Sequence, residues 1–104
     1  MHNDPVLSML GIAAKSGNVV SGEFSTEKAV KTGHAYLVIV STEASGNTKK
    51  SFCNMTDFYH VPCYCYGSKE ALGRCIGKEF RASLAVTDEN LAKAVEKKLK
   101  KHTV

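Results

Sequence analysis

Three short segments of this chain carry side chains of the kinds that bind phosphate, hold metal or act as nucleophiles. The first is Gly73-Arg74-Cys75-Ile76-Gly77-Lys78, which has the glycines and the lysine of a phosphate loop. Such a loop needs four residues between its glycines, a hydroxyl residue after its lysine and a strand in front of it. Here three residues separate the glycines, Glu79 follows Lys78, and the segment continues a helical pattern. A carboxylate at that position repels phosphate, so no nucleotide site is expected.

The second segment is His60-Val61-Pro62-Cys63-Tyr64-Cys65. Side chains alternate along a strand, so Cys63 and Cys65 share one face. Zinc usually takes four ligands, in pairs two to four residues apart. Only His60, Cys53 or Cys75 could complete such a set, and nothing in the sequence brings them together. A Cys–His nucleophile would need a carboxylate or amide to orient His60, and none is placed to do so. The four cysteines are therefore expected to be free thiols serving as small core hydrophobes, with a thiol or metal site at Cys63 and Cys65 as the alternative. The reading assigns no catalytic residue, no metal ligand and no cofactor.

The third segment is Ser21-Gly22-Glu23-Phe24-Ser25-Thr26-Glu27-Lys28. A glycine turn opens a helix whose first N–H groups have no partner within the helix. Such an end attracts phosphate. Lys28 and Lys31 follow about one turn on, while Glu23 and Glu27 also suit the helix dipole. From these residues alone an ordinary helix start is the leading reading, and RNA contact is the alternative.

The elements that position these segments follow from periodicity and punctuation. Asp4-Pro5 starts a helix carrying Val6, Met9, Leu10 and Ala13, and Gly17 closes it. Val19 and Val20 form a short strand. A second helix spans Phe24 to Thr32, with Gly33 as its cap and His34 expected to bond the helix-end carbonyls. Residues 35–41 read as a buried strand, 43–47 as a polar loop, and 48–59 as a weaker helix. A strand over 61–66, a short helix through Cys75, a loop over 77–81 and a strand over 82–86 come next. Thr87-Asp88 caps a last helix with Leu91, Val95 and Leu99 at four-residue spacing. Alternating helices and strands joined by short connections predict a three-layer α/β/α sandwich around a four-stranded mixed sheet, as one domain over residues 1–104.

Charge adds little on its own. The chain has 104 residues, with 14 Lys and Arg against 10 Asp and Glu, a net charge of +4. Such an excess permits a polyanionic partner without demanding one. Half of it lies in residues 88–104, where Lys93, Lys97, Lys98, Lys100 and Lys101 read as a solvated helix face. Arg74 and Arg81 are the only arginines. The longest apolar run, residues 35–40, is far short of the roughly 20 residues of a membrane span. The first residues show no cationic stretch followed by an apolar one, so a cytoplasmic protein is expected, and with no leftover apolar stripe a monomer. His2 and His102 fall in termini expected to fray.

Several of these pieces, in register, resemble the ribosomal protein L7Ae family. They are Leu10-Gly11-Ile12-Ala13, Val20-Ser21-Gly22-Glu23, Lys28-Ala29-Val30-Lys31-Thr32-Gly33 and Leu37-Val38-Ile39-Val40-Ser41. Glu43-Ala44-Ser45, Val61-Pro62, Leu72-Gly73-Arg74-Cys75-Ile76-Gly77-Lys78 and Ala85-Val86-Thr87-Asp88 complete the set. The resemblance covers residues 6–98 and looks closest to small bacterial, YlxQ-like members. It implies a non-catalytic, ribosome-associated protein that binds structured RNA, typically a kink-turn, a sharply bent duplex with sheared G·A pairs.

Carried over by position, the resemblance makes Gly22, Glu23, Phe24, Ser25 and Lys28 the groove-reading residues. Lys78, Glu79, Phe80 and Arg81 become the loop that covers a flipped-out nucleotide. Lys28, Lys31, Lys78 and Arg81 would then meet phosphate, and Phe80, with Phe24, would stack on bases. Archaeal members read the G·A pairs with an Asn-Glu pair where this chain has Phe24 and Ser25. Glu23 takes over part of that task if the helix start shifts by one residue. The rival expectation is a module of the same fold that binds a ribosomal or other protein partner.

Overall fold

The computed structural model describes residues 4–102, so His2 and the side chain of His102 lie outside the described part. Asp4 caps α1 (Pro5–Lys15), its Oδ1 accepting from the N–H groups of Val6 and Leu7 at 2.9 and 3.1 Å. Strand β1 (Val19–Ser21) leads through Gly22 into α2 (Glu23–Lys31). Then come β2 (Leu37–Val40), α3 (Gly46–Phe58), β3 (Cys63–Cys65), α4 (Lys69–Cys75), β4 (Ser83–Val86) and α5 (Glu89–His102).

The sheet has the order β1-β4-β2-β3. Strand β4 pairs antiparallel with both β1 and β2, while β2 and β3 run parallel, so the sheet is mixed. The central strands Leu-Val-Ile-Val and Ser-Leu-Ala-Val are buried at every position, because helices cover both faces. One face packs Leu37, Ile39, Leu84 and Val86 against Leu10 of α1, Leu72 of α4 and Val95 and Leu99 of α5. The other packs Val38, Val40 and Ala85 against Ala29 and Val30 of α2 and Phe52 of α3. Two helical layers around one sheet make the expected sandwich.

Boundaries differ from expectation where side chains or turns intervene. Helix α2 begins at Glu23, one residue before Phe24, because Gly22 takes the cap position with φ 92° and ψ 157°. Helix α3 begins at Gly46, because Ser45 rather than a later residue caps it, its Oγ accepting from Thr48 N–H at 3.1 Å. Strand β2 is shorter than residues 35–41. The Ala35 N–H turns back to the Ala29 carbonyl (3.1 Å), and Ser41 Oγ donates to the Gly67 carbonyl (2.9 Å). Asp88 caps α5 as expected, accepting from Leu91 N–H at 2.9 Å. No helix among the described residues is long and apolar enough to cross a membrane.

Candidate nucleic-acid interface

The start of α2 is built by a glycine that no other residue replaces cheaply. At φ 92° Gly22 lies in the left-handed half of backbone space, where a side chain costs about 1–2 kcal/mol. Its N–H donates to the Ser83 carbonyl (3.0 Å), which fixes the turn to the first residue of β4. No side chain caps this helix, so the N–H groups of its first turn are open at their outer end. Glu23, Phe24, Ser25 and Lys28 are all exposed around that end. The Phe24 ring is 78% exposed. Thr26 is the buried anchor, within 3.5 Å of Ser83 Oγ.

The loop over residues 77–81 comes to the same place through α4. Gly73 in that helix has no room for a side chain, since a Cβ would lie 2.3 Å from the Glu79 carbonyl oxygen. The Lys78 N–H donates to the Gly73 carbonyl (2.8 Å), and the Arg81 N–H to the Lys69 carbonyl (3.0 Å). The loop is thus laid against α4, with Lys78, Glu79 and Phe80 exposed and the Phe80 ring 62% accessible. Arg81 then crosses to β1, its Nε donating to Ser21 Oγ at 2.9 Å and one Nη to its neighbour's carbonyl, that of Phe80, at 2.7 Å. The pairing of Ser21 with Leu84 brings the two segments side by side.

Nine of the ten expected contact residues therefore cluster at one end of the sheet: Gly22, Glu23, Phe24, Ser25, Lys28, Lys78, Glu79, Phe80 and Arg81. Lys31 does not belong to the cluster. It sits about one turn beyond Lys28 and about 12 Å along the helix from Glu23, and it pairs with Glu27 at 2.6 Å. That hydrogen bond and the Glu27 charge raise the Lys31 pKa above its usual 10.5. Alongside α2, Val20, Phe24, Ser25, Lys28, Thr32, His34 and Thr87 line an open groove of about 370 Å³. Val20, Thr32, His34 and Thr87 were not expected there, because only the fold sets β1 and the end of β4 beside the helix. His34 bonds the helix end through its backbone, its N–H donating to the Ala29 carbonyl at 2.9 Å, and not through its ring. Thr32 Oγ1 donates to the Lys28 carbonyl at 2.7 Å, which leaves His34 Nδ1 as its partner at 2.8 Å.

Of the four cysteines only Cys63 and Cys75 pack against the core as expected. Cys53 and Cys65 are exposed, and Cys63 and Cys75 are half-buried. The reason is that β3 is an edge strand, and the hollow between it and α3 is lined by Cys53, Thr56, Asp57, Val61 and Cys63 but not by Cys65. Burial pushes the Cys63 and Cys75 thiols up to about 11. That is the opposite of the lowered value a thiolate ligand or nucleophile needs. Among the described residues no group of three or more His, Cys, Asp or Glu side chains is placed to hold a metal. His60 lies in the turn before β3 with φ 60°, beside Tyr36, Pro62 and Glu96. The tyrosines of this region are structural: Tyr64 donates to Glu96 (2.8 Å) and Tyr66 to Asp4 (2.6 Å). Burial, then the carboxylate acceptors, push both hydroxyls up to about 12.

Comparison with known proteins follows this geometry. Residues 4–100 match the model of the ribosomal protein L7Ae/L30e/S12e/Gadd45 family. The chain is 40% identical over 84 residues to the RNA-binding protein YlxQ of Bacillus subtilis, covering 81% of this chain and 84% of that protein. It is 34% identical over 84 residues to the large ribosomal subunit protein eL30 of Sulfolobus acidocaldarius, covering 79% of this chain and 81% of the other. A solved protein of unknown function from Bacillus halodurans C superposes with a TM-score of 0.91 at 33% identity, covering 94% of this chain and 99% of that one.

Proposed function

Because the chain belongs to the ribosomal protein L7Ae/L30e/S12e/Gadd45 family, we propose that it is a non-catalytic, ribosome-associated protein that binds structured RNA as a cytoplasmic monomer. The interface we assign is the start of α2 together with residues 77–81, and the RNA shape we assign is the kink-turn. One observation carries the reading. The open N–H groups after Gly22 and the exposed ring of Phe80 are held on one surface by the Gly22–Ser83 and Arg81–Ser21 hydrogen bonds. A helix end offers donors to phosphate and base edges, and an exposed aromatic offers a stacking face to an unpaired base.

The start of α2 at Glu23 supports the kink-turn reading. It puts a carboxylate on the first helical residue, where it can accept from a guanine edge. This compensates in part for Phe24 and Ser25, which stand where the family resemblance implies an Asn-Glu pair. Two cations in the cluster, Lys28 and Lys78, have no ion pair among the described residues. Crosslinking in cells followed by sequencing and peptide mapping tests the assignment. The expected result is one folded RNA class crosslinked to residues 22–28 and 77–81. Crosslinks confined to the α5 lysines would remove this interface.

The exposed Phe24 and the partly apolar groove beside it favour a second reading, a surface for a protein partner. Nuclease treatment before purification separates the two. An RNA-dependent complex disperses, and a protein complex persists.

A further inference from the structure

Resting on the RNA-binding reading above, we infer that Arg81 is a positioning residue rather than a phosphate contact: its guanidinium holds the Phe80 loop on the start of α2. A guanidinium grips phosphate best with its fork of two adjacent N–H groups. In Arg81 two of the five guanidinium N–H donors, including the Nε half of the side-on fork, are already engaged. Nε donates to Ser21 Oγ (2.9 Å) and Nη1 to the Phe80 carbonyl (2.7 Å). Its backbone N–H donates to the Lys69 carbonyl (3.0 Å). Lys69 is in turn held by its own N–H, which donates to Glu43 Oε1 (3.0 Å). One residue therefore ties the end of β1, the first turn of α4 and the loop into a single arrangement.

The consequence is geometric. Ser21 precedes Gly22, and the Phe80 carbonyl belongs to the residue whose ring is exposed. Anchoring Nε and Nη1 of Arg81 fixes the spacing between the open helix end and the stacking ring. A lysine cannot do the same, because its donors radiate from one atom and lack the planar fork.

The two roles make different predictions for Arg81→Lys, Arg81→Ala, Ser21→Ala and the Arg81→Lys/Ser21→Ala double variant of the full chain. Each is titrated with a kink-turn RNA between about 50 and about 200 mM salt. Arg81→Lys and Ser21→Ala are each expected to weaken binding, the former about tenfold. The double variant should be no weaker than Arg81→Lys alone. The log–log salt slope should stay at the wild-type value even in Arg81→Ala. Full affinity in Arg81→Lys, with a slope shallower by about 0.7–1 in Arg81→Ala, would make Arg81 a phosphate contact and overturn the inference.

A second measurement needs no RNA. Ser21→Ala removes one hydroxyl and should speed amide hydrogen exchange at Phe80 and Arg81 in the free protein. Unchanged exchange there overturns the clamp. A wild-type chain that binds no RNA would sink the proposed function, while the exchange result would still decide whether Ser21 and Arg81 hold the loop.

Discussion

Lys31 directs its charge to Glu27 at 2.6 Å, whereas Lys28, one turn earlier, has no ion pair among the described residues. Composition and spacing made the two equivalent, and both were expected to meet phosphate. The difference arises because Glu27 and Lys31 are four apart with the acid first, the favourable order for a helix pair. Lys28→Ala is therefore expected to weaken kink-turn binding by about 1–2 kcal/mol. Lys31→Ala should change it by less than about 0.5 kcal/mol, the scale of an exposed pair. A gel-shift titration of both variants checks this, and equal losses would return Lys31 to the site. The surface placing of Phe24 and Phe80 was legible only through the family resemblance. The Arg81–Ser21 bond was not, because 60 residues separate the partners and only the pairing of β1 with β4 brings them together.

At the scale of elements, α4 is a short helix whose main task is to set the path of the loop after it. Its Leu72 anchors in the core, and the face carrying Gly73 is pressed against the Glu79 carbonyl. Gly73→Ala would place a methyl carbon 2.3 Å from that oxygen, so the loop must move. A loss of about 1–3 kcal/mol in stability is expected from such overpacking. RNA affinity should fall with it, whereas Gly46→Ala in open space leaves binding unchanged. Thermal melts and titrations of the two variants make the comparison, and an unaffected Gly73→Ala would refute the close approach. Element order and type were readable from apolar periodicity and from the caps Asp4, Gly17, Gly33 and Asp88. The trimmed strand ends were not, because the Ala35 N–H turns back to the Ala29 carbonyl and the Ser41 hydroxyl to the Gly67 carbonyl, contacts that residue type does not announce.

At the scale of the whole molecule, the charge divides between two faces of the sheet. Helix α5 packs on one face and α2 on the other. The α5 lysines thus lie across the sheet from the start of α2, while α4, which carries the loop, shares the α5 face. Replacing Lys97 and Lys101 together by Gln should change kink-turn affinity by less than about threefold, in contrast to Lys28→Ala. A larger loss in the α5 variant would move the interface to that helix. With Lys31 and Arg81 engaged within the protein, about two phosphates are neutralised, so the log–log salt slope should be about −2 rather than steeper. The three-layer architecture was visible in the alternation of elements. Which lysines share a surface was not, since that depends on how the layers stack.

The central claim is that this surface recognises one folded RNA shape. The most direct measurement is an equilibrium titration of the wild-type chain with a kink-turn RNA and with the same RNA whose sheared G·A pairs are replaced by Watson–Crick pairs, at fixed salt. Tighter binding to the kink-turn by at least about tenfold, or about 1.4 kcal/mol, is the predicted result. Equal affinity for the bent and straight forms would contradict it.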